Sequence, residues 1–71
     1  MEKVNHPSHY GGDIECIDAL KSCLSELTGI EAFCAGNVIK YVWRYKQKNG
    51  VEDLKKAQWY LQYLIDLLDN C

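Results

Sequence analysis

Two long stretches with the apolar period of an amphipathic helix, about 29–48 and 51–70, are separated by little more than Asn49-Gly50. Both residues of that pair tolerate the left-handed backbone conformation that closes a helix. The chain therefore ends one helix and starts another almost at once, and so short an interval implies an antiparallel helical hairpin. The second stretch opens on Val51-Glu52-Asp53, whose acidic side chains suit the positive end of the helix dipole. It carries Leu54, Ala57, Leu61, Leu64, Ile65 and Leu68 on one side. The first opens behind Thr28, with Glu31 at the spacing of a capping box.

A shorter helix is expected upstream, from about 13 to 25, capped by Asp13. Ile17, Leu20 and Leu24, with Cys16 and Cys23, form its apolar side, while Glu15, Asp18 and Lys21 lie elsewhere. The leader, 1–12, has no helical period. Pro7 biases His6 towards an extended backbone, and Gly11-Gly12 is a break. No segment sustains the alternation of a strand. The expected fold is all-α: one small three-helix domain, 1–71, with an extended N-terminal leader.

Size then bears on assembly. Ordering 71 residues costs about 1.5 kcal/mol of conformational entropy each, roughly 100 kcal/mol in all, which a lone core of this size barely offsets. Small domains escape through disulfides, metal or association. The four cysteines, Cys16, Cys23, Cys34 and Cys71, could pair in three ways. However, Cys16, Cys23 and Cys34 sit in apolar helical patterns, and Met1 to Tyr10 lacks the apolar stretch of an export signal, so buried reduced thiols are expected. No C-x-x-C pair suggests zinc. Self-association as a dimer or tetramer remains as the stabiliser. No apolar run approaches the roughly 20 residues of a membrane span. Eight Lys and Arg against ten Asp and Glu exert no general pull on nucleic acid, so any anion binding must be local.

On the 29–48 helix, Ile30, Cys34, Val38, Ile39 and Val42 cover one broad side, flanked by Tyr41 and Tyr45. Asn37, Lys40, Arg44 and Gln47 gather on the other, with Phe33 among them. Arg can grip a phosphate through two parallel hydrogen bonds and Lys adds a compact charge; the same residues would equally make a solvated basic face. Gly36 costs about 1 kcal/mol relative to Ala and marks a close approach of backbone or ligand, or a break. On the last helix Trp59 and Tyr63 fall outside the leucine side, amid Lys55, Lys56, Gln62 and Asp66. They suit a subunit contact, a platform for a nucleobase, or both if a pocket lies between subunits. In the leader, His6, Ser8, His9 and Tyr10 could pack against the helices or hydrogen-bond a phosphate. Metal would need further ligands, and none converge. There is no phosphate-binding glycine loop and no Ser–His–Asp order. No catalytic residue, metal or cofactor is expected.

The segments VNHPSHY, IECID and CAGNVIKYVWRYKQKNGVEDLKKAQWYL resemble the small phage-encoded SaV-like family, from Val4 to about Leu64. The motifs are H-P-x-H-Y, G-N-x-I-K-Y-x-W-R and E-D-L-x-K-A-x-W-Y-L. They fall here on His6, Pro7, His9 and Tyr10, on Asn37, Lys40, Tyr41, Trp43 and Arg44, and on Asp53, Leu54, Lys56, Ala57, Trp59 and Tyr60. A related domain occurs in a podoviral nucleotide kinase without a phosphate loop, and similar small phage proteins resemble sponges for immune nucleotides.

The resemblance thus implies nucleotide binding, by His6, His9, Tyr10, Asn37, Lys40, Tyr41, Trp43, Arg44, Lys56 and Trp59. Lys40 and Arg44 would neutralise phosphate, Asn37 and His9 would hydrogen-bond, and Tyr10, Trp43, Trp59 or Tyr63 would stack on bases. The function it implies is sequestration of a phosphate-bearing immune signal, such as a cyclic dinucleotide, between subunits in the cytoplasm of an infected bacterial host. A twofold ligand could then lie across a twofold axis. One alternative is a deoxynucleoside monophosphate kinase, although a chain of 71 residues can supply little more than one wall of a site holding donor and acceptor in line. A further alternative is a helical adaptor that binds a host protein through Trp59 and Tyr63.

Overall fold

A computed structural model describes residues 14–70 as three α-helices: α1 (Cys16–Cys23), α2 (Gly29–Arg44) and α3 (Val51–Asp69). The described residues contain no strand, in agreement with the all-α expectation. The leader with His6, His9 and Tyr10, the expected cap Asp13, and Cys71 lie outside the described residues.

Glu15, in an extended conformation, precedes the first turn of α1. Cys16 is buried, Leu20 and Leu24 are half-buried, and Ile17 and Cys23 face outward, so only part of the expected apolar side is covered. The covered part lies on α2 at Gly36. A Cβ there would sit 3.2 Å from Leu24 Cδ1 and 4.0 Å from Leu20 Cδ2. The mid-helix glycine therefore marks a close approach by the leucines of α1, and α2 runs through it unbroken.

Thr28 is the N-cap of α2, as the sequence suggests, but its side chain makes no capping bond. The first helical residue, Gly29, has φ +58°, so the backbone enters the helix without bringing the first amides onto the hydroxyl. At the other end α2 stops at Arg44, ahead of the expected end near Lys48, and residues 45–50 form the turn. Two amides close on Arg44 O, from Gln47 at 3.0 Å and Lys48 at 3.1 Å, and Gly50 N donates to Tyr45 O at 2.8 Å. Gly50 has φ +59° and ψ −127°, a conformation open to glycine and strained for any residue with a Cβ. Its carbonyl then accepts from Asp53 N (3.0 Å) and Leu54 N (3.3 Å), which starts α3.

The stripe of α3 that turns inward is Asp53, Ala57, Tyr60, Leu64 and Leu67: the first two are buried and the rest half-buried. The expected leucine side is therefore not the buried one. Ala57 and Leu64 turn inward, while Leu54, Leu61, Ile65 and Leu68 remain 39, 45, 43 and 51% exposed. Two contacts with α2 set this rotation, Asp53 with Arg44 and Tyr60 with Phe33 and Tyr41. They turn the leucines roughly a quarter turn out of the interface. Among the described residues the buried apolar side chains are Cys16, Cys34 and Ala57, and the largest fully buried ones are Asp53 and Cys34.

Candidate functional site

Arg44 ends α2 and Asp53 lies in the first turn of α3, so the 45–50 turn brings them together. Arg44 Nε donates to Asp53 Oδ2 at 3.3 Å and Nη2 to Oδ1 at 3.4 Å. Asn49 adds its backbone N–H to Oδ2 at 3.2 Å and its side-chain Nδ2 to Oδ1 at 3.3 Å. Four donors thus meet a carboxylate with no exposed surface, whereas the Arg44 side chain is 26% exposed. Burial pushes the Asp53 carboxyl up, but the bonds from Arg44 and Asn49 outweigh it and hold the group below its ordinary value. Arg44 is fixed by one edge of its guanidinium, and the Nη1 atom takes no part in these bonds.

That fixed guanidinium lies over Tyr41, its Cζ 5.0 Å from the ring centroid. Two further cations reach the same ring, Lys40 Nζ at 4.6 Å and Lys56 Nζ at 5.5 Å. The negative face of an aromatic ring attracts cations in this way. Tyr41 stacks on Tyr60 with centroids 6.1 Å apart and planes 16° apart. Tyr60 meets Trp59 edge-on at 5.0 Å, and Trp59 stacks with Tyr63 at 5.6 Å. An aromatic chain therefore runs from α2 across α3, with the cations at one end. Tyr41, Lys56, Trp59 and Tyr60 line a cleft of about 380 Å³. A smaller cavity of about 190 Å³ shares Trp59 and Tyr60 and continues to Phe33, Cys34, Ile30 and Tyr63.

Of the expected site residues, Lys40, Tyr41, Arg44, Lys56 and Trp59 come together here. Asn37 donates its side-chain Nδ2 to Phe33 O of its own helix at 2.8 Å. Trp43 is half-buried and lies about 200° around the helix from Tyr41, on the side away from the cleft. Sequence reasoning missed Tyr60 and Phe33 as members of the aromatic chain, and Asp53 and Asn49 as the anchor of Arg44. The 53, 57, 60, 64, 67 spacing was the available signal for the first and third of these.

Among the described residues no three His, Cys, Asp or Glu side chains converge as metal ligands. Cys16, Cys23 and Cys34 are free thiols; Cys16 and Cys34 are buried as expected, but Cys23 is exposed, because the end of α1 turns it away from α2. Burial pushes the Cys16 thiol up, opposed in part by the charge of Lys40. No described helix is long and apolar enough to cross a membrane.

The described residues define a small helical domain with a cation-rimmed aromatic cleft. Residues 4–62 match the model of DUF3310, a family described as of unknown function, and the chain belongs to that family. The chain is 31% identical over 77 residues to the nucleotide kinase gp1.7 of Escherichia phage T7, an alignment that covers 100% of this chain and 39% of that protein. The chain thus spans about two fifths of the length of this curated relative. No solved structure matches it.

Proposed function

We propose that this chain is a phage-encoded nucleotide-binding protein that holds a phosphate-bearing nucleotide in the Tyr41 cleft. The observation that carries the reading is the convergence of Lys40, Arg44 and Lys56 within 4.6 to 5.5 Å of one ring that opens onto a cleft walled by aromatics. A nucleotide is at once anionic and flat-faced, and these are the two properties such a surface selects. In this reading the lysines and the Nη1 edge of Arg44 take phosphate oxygens, and Tyr41 or Trp59 stacks on a base. His6, His9, Tyr10 and Asn37 supply the remaining contacts, from this chain or from a neighbouring copy, and Trp43, which faces away from the cleft of its own chain, does so from a neighbouring copy. The unit is a single domain, 1–71, whose α2 and α3 run antiparallel and which assembles as a homo-oligomer. Its role is sequestration of an immune signal such as a cyclic dinucleotide in the cytoplasm of the infected bacterium, which needs affinity and stoichiometry but no turnover. Isothermal titration with a panel of cyclic and linear nucleotides tests it: heat with a saturable stoichiometry supports the reading, and no heat with any of them ends it.

The second reading is a nucleoside monophosphate kinase, favoured by the named activity of the T7 relative. Incubation with labelled triphosphate and each deoxynucleoside monophosphate separates the two, since a labelled diphosphate product favours the kinase and unchanged nucleotide favours sequestration.

A further inference from the structure

The face of α3 that α2 leaves uncovered is not a scatter of apolar residues. Leu54, Leu61 and Leu68 recur at a strict heptad interval, with Ile65 beside them, and all four stand at least 39% exposed. Heptad recurrence of leucine on a long helix is the pattern of a seam between paired helices. Alongside the first half of this seam runs a groove of about 390 Å³, walled by Val38 and Val42 of α2 and by Leu54, Ala57 and Leu61 of α3, with Lys55 and Gln58 as its polar lining. The second half carries the protruding Ile65 and Leu68. Groove and protrusion thus sit on one face, displaced along the helix to either side of Leu61.

We infer that this face binds a second copy of the chain, α3 against α3 in antiparallel register, with the twofold axis at Leu61. In that register Leu61 meets its own counterpart, Leu54 of each copy meets Leu68 of the other, and Ile65 and Leu68 of one fill the groove of the other. A twofold contact must be self-complementary, and this face is. Its margin agrees: Lys55 beside the groove comes alongside Asp69 near the far end of the second copy's helix, so opposite charges flank the seam. The pairing also supplies what the described residues lack, full burial of large apolar side chains, since the largest fully buried ones among them are an aspartate and a cysteine. It specifies the homo-oligomer proposed above and does not depend on the nucleotide reading, because Lys56 and Trp59 lie roughly 150° around α3 from Leu61 and the Tyr41 cleft stays outside the seam.

Light scattering on the full chain, wild type and Leu61→Lys, tests the pairing. The expected result is a wild-type mass of two chains or a multiple of two, and a smaller mass for Leu61→Lys, where like charges face each other across the axis. Mixing Leu61→Lys with Leu61→Glu restores the wild-type mass, which no misfolding account of either variant explains. A wild-type mass of one chain, a Leu61→Lys mass equal to wild type, or a mixture that stays small overturns the inference. Nucleotide plays no part in this readout, so a paired chain that gives no heat with nucleotide sinks the functional reading alone.

Discussion

Arg44 and Asp53 are joined edge to edge across the 45–50 turn, at 3.3 and 3.4 Å, with the carboxylate wholly buried and the guanidinium left partly open to solvent. The pair fixes how α3 lies on α2 and fixes where the guanidinium stands against Tyr41. One contact therefore serves both the fold and the candidate site.

From the sequence alone, removing the Arg44 side chain would cost ligand contact and leave the helix formed. The structure changes that expectation. Arg44→Ala leaves the Asp53 carboxylate buried without its countercharge and held by the two bonds from Asn49, and a buried charge stripped of its ion partner is destabilising. The variant should melt roughly 5–10 °C below wild type, since a domain of this size loses several degrees for each kcal/mol. Arg44→Lys keeps the charge but lacks the planar fork and should fall between the two. Thermal melts followed by far-UV circular dichroism decide this, and a wild-type midpoint for Arg44→Ala would show that the pair does not hold the helices together.

The same pair sets an acid limit. Asp53 has its folded pKa below the ordinary carboxylate value, so the contribution is fully present above the unfolded pKa of about 3.9. As pH falls below that value the unfolded chain takes up a proton that the folded one refuses, and stability declines until the folded group is protonated too. Between about pH 5 and pH 2, wild type should therefore lose more stability than Asp53→Asn, whose amide does not titrate. Denaturant midpoints measured across that range check the slope. Parallel curves for the two proteins would rule out the Asp53 contribution.

What could be read in advance, and what could not, divides along the physical range of each signal. The helices and the cationic positions of α2 rest on local chemistry, and the structure has them; Gly50 does take a positive φ ahead of α3, but α2 already ends at Arg44 and not at the Asn49-Gly50 pair. The rotation of α3 was hidden, because counting leucines assumes that the most apolar stripe is the buried one. In the single chain Asp53 and Tyr60 take the inner stripe instead; the 53, 57, 60, 64, 67 spacing is in the sequence, but what turns that stripe inward is its partners on another helix. The capping box failed for a related reason: the Thr28–Glu31 spacing was right, but the entry through Gly29 at φ +58° was not visible in residue types. Lys40 and Arg44 were placed on one face correctly by helical spacing, whereas Lys56 joining them required the packing of α3.

Lys56 separates binding from folding better than Arg44 does. Its side chain is 42% exposed, and its ion partner Glu52 lies at 3.8 Å on an exposed turn, where such pairs add little stability. Lys56→Ala should leave the melting curve within about a degree or two of wild type. It should weaken nucleotide binding about tenfold or more, the cost of a charged hydrogen bond to phosphate. The loss should shrink as salt is raised, because a partly exposed charge is screened. Titration calorimetry at low and high ionic strength measures both, and an unchanged affinity would remove Lys56 from the site.

The thiols give an independent check on the packing of α1. Cys16 is buried, and burial pushes its pKa up, so little of it is thiolate at neutral pH; Cys34 is buried beneath the aromatic chain, and Cys23 is exposed at the end of α1. Only an accessible thiolate attacks a disulfide reagent. In a Cys71→Ser background, Ellman's reagent near neutral pH should modify Cys23 promptly and reach Cys16 and Cys34 only as the chain unfolds. Because α1 is held to α2 largely where Leu20 and Leu24 meet Gly36, Leu24→Ala should raise the rate at Cys16 well above wild type while leaving Cys34 protected. Equal rates at all three thiols in the native protein would mean that α1 does not stay docked on α2 in solution.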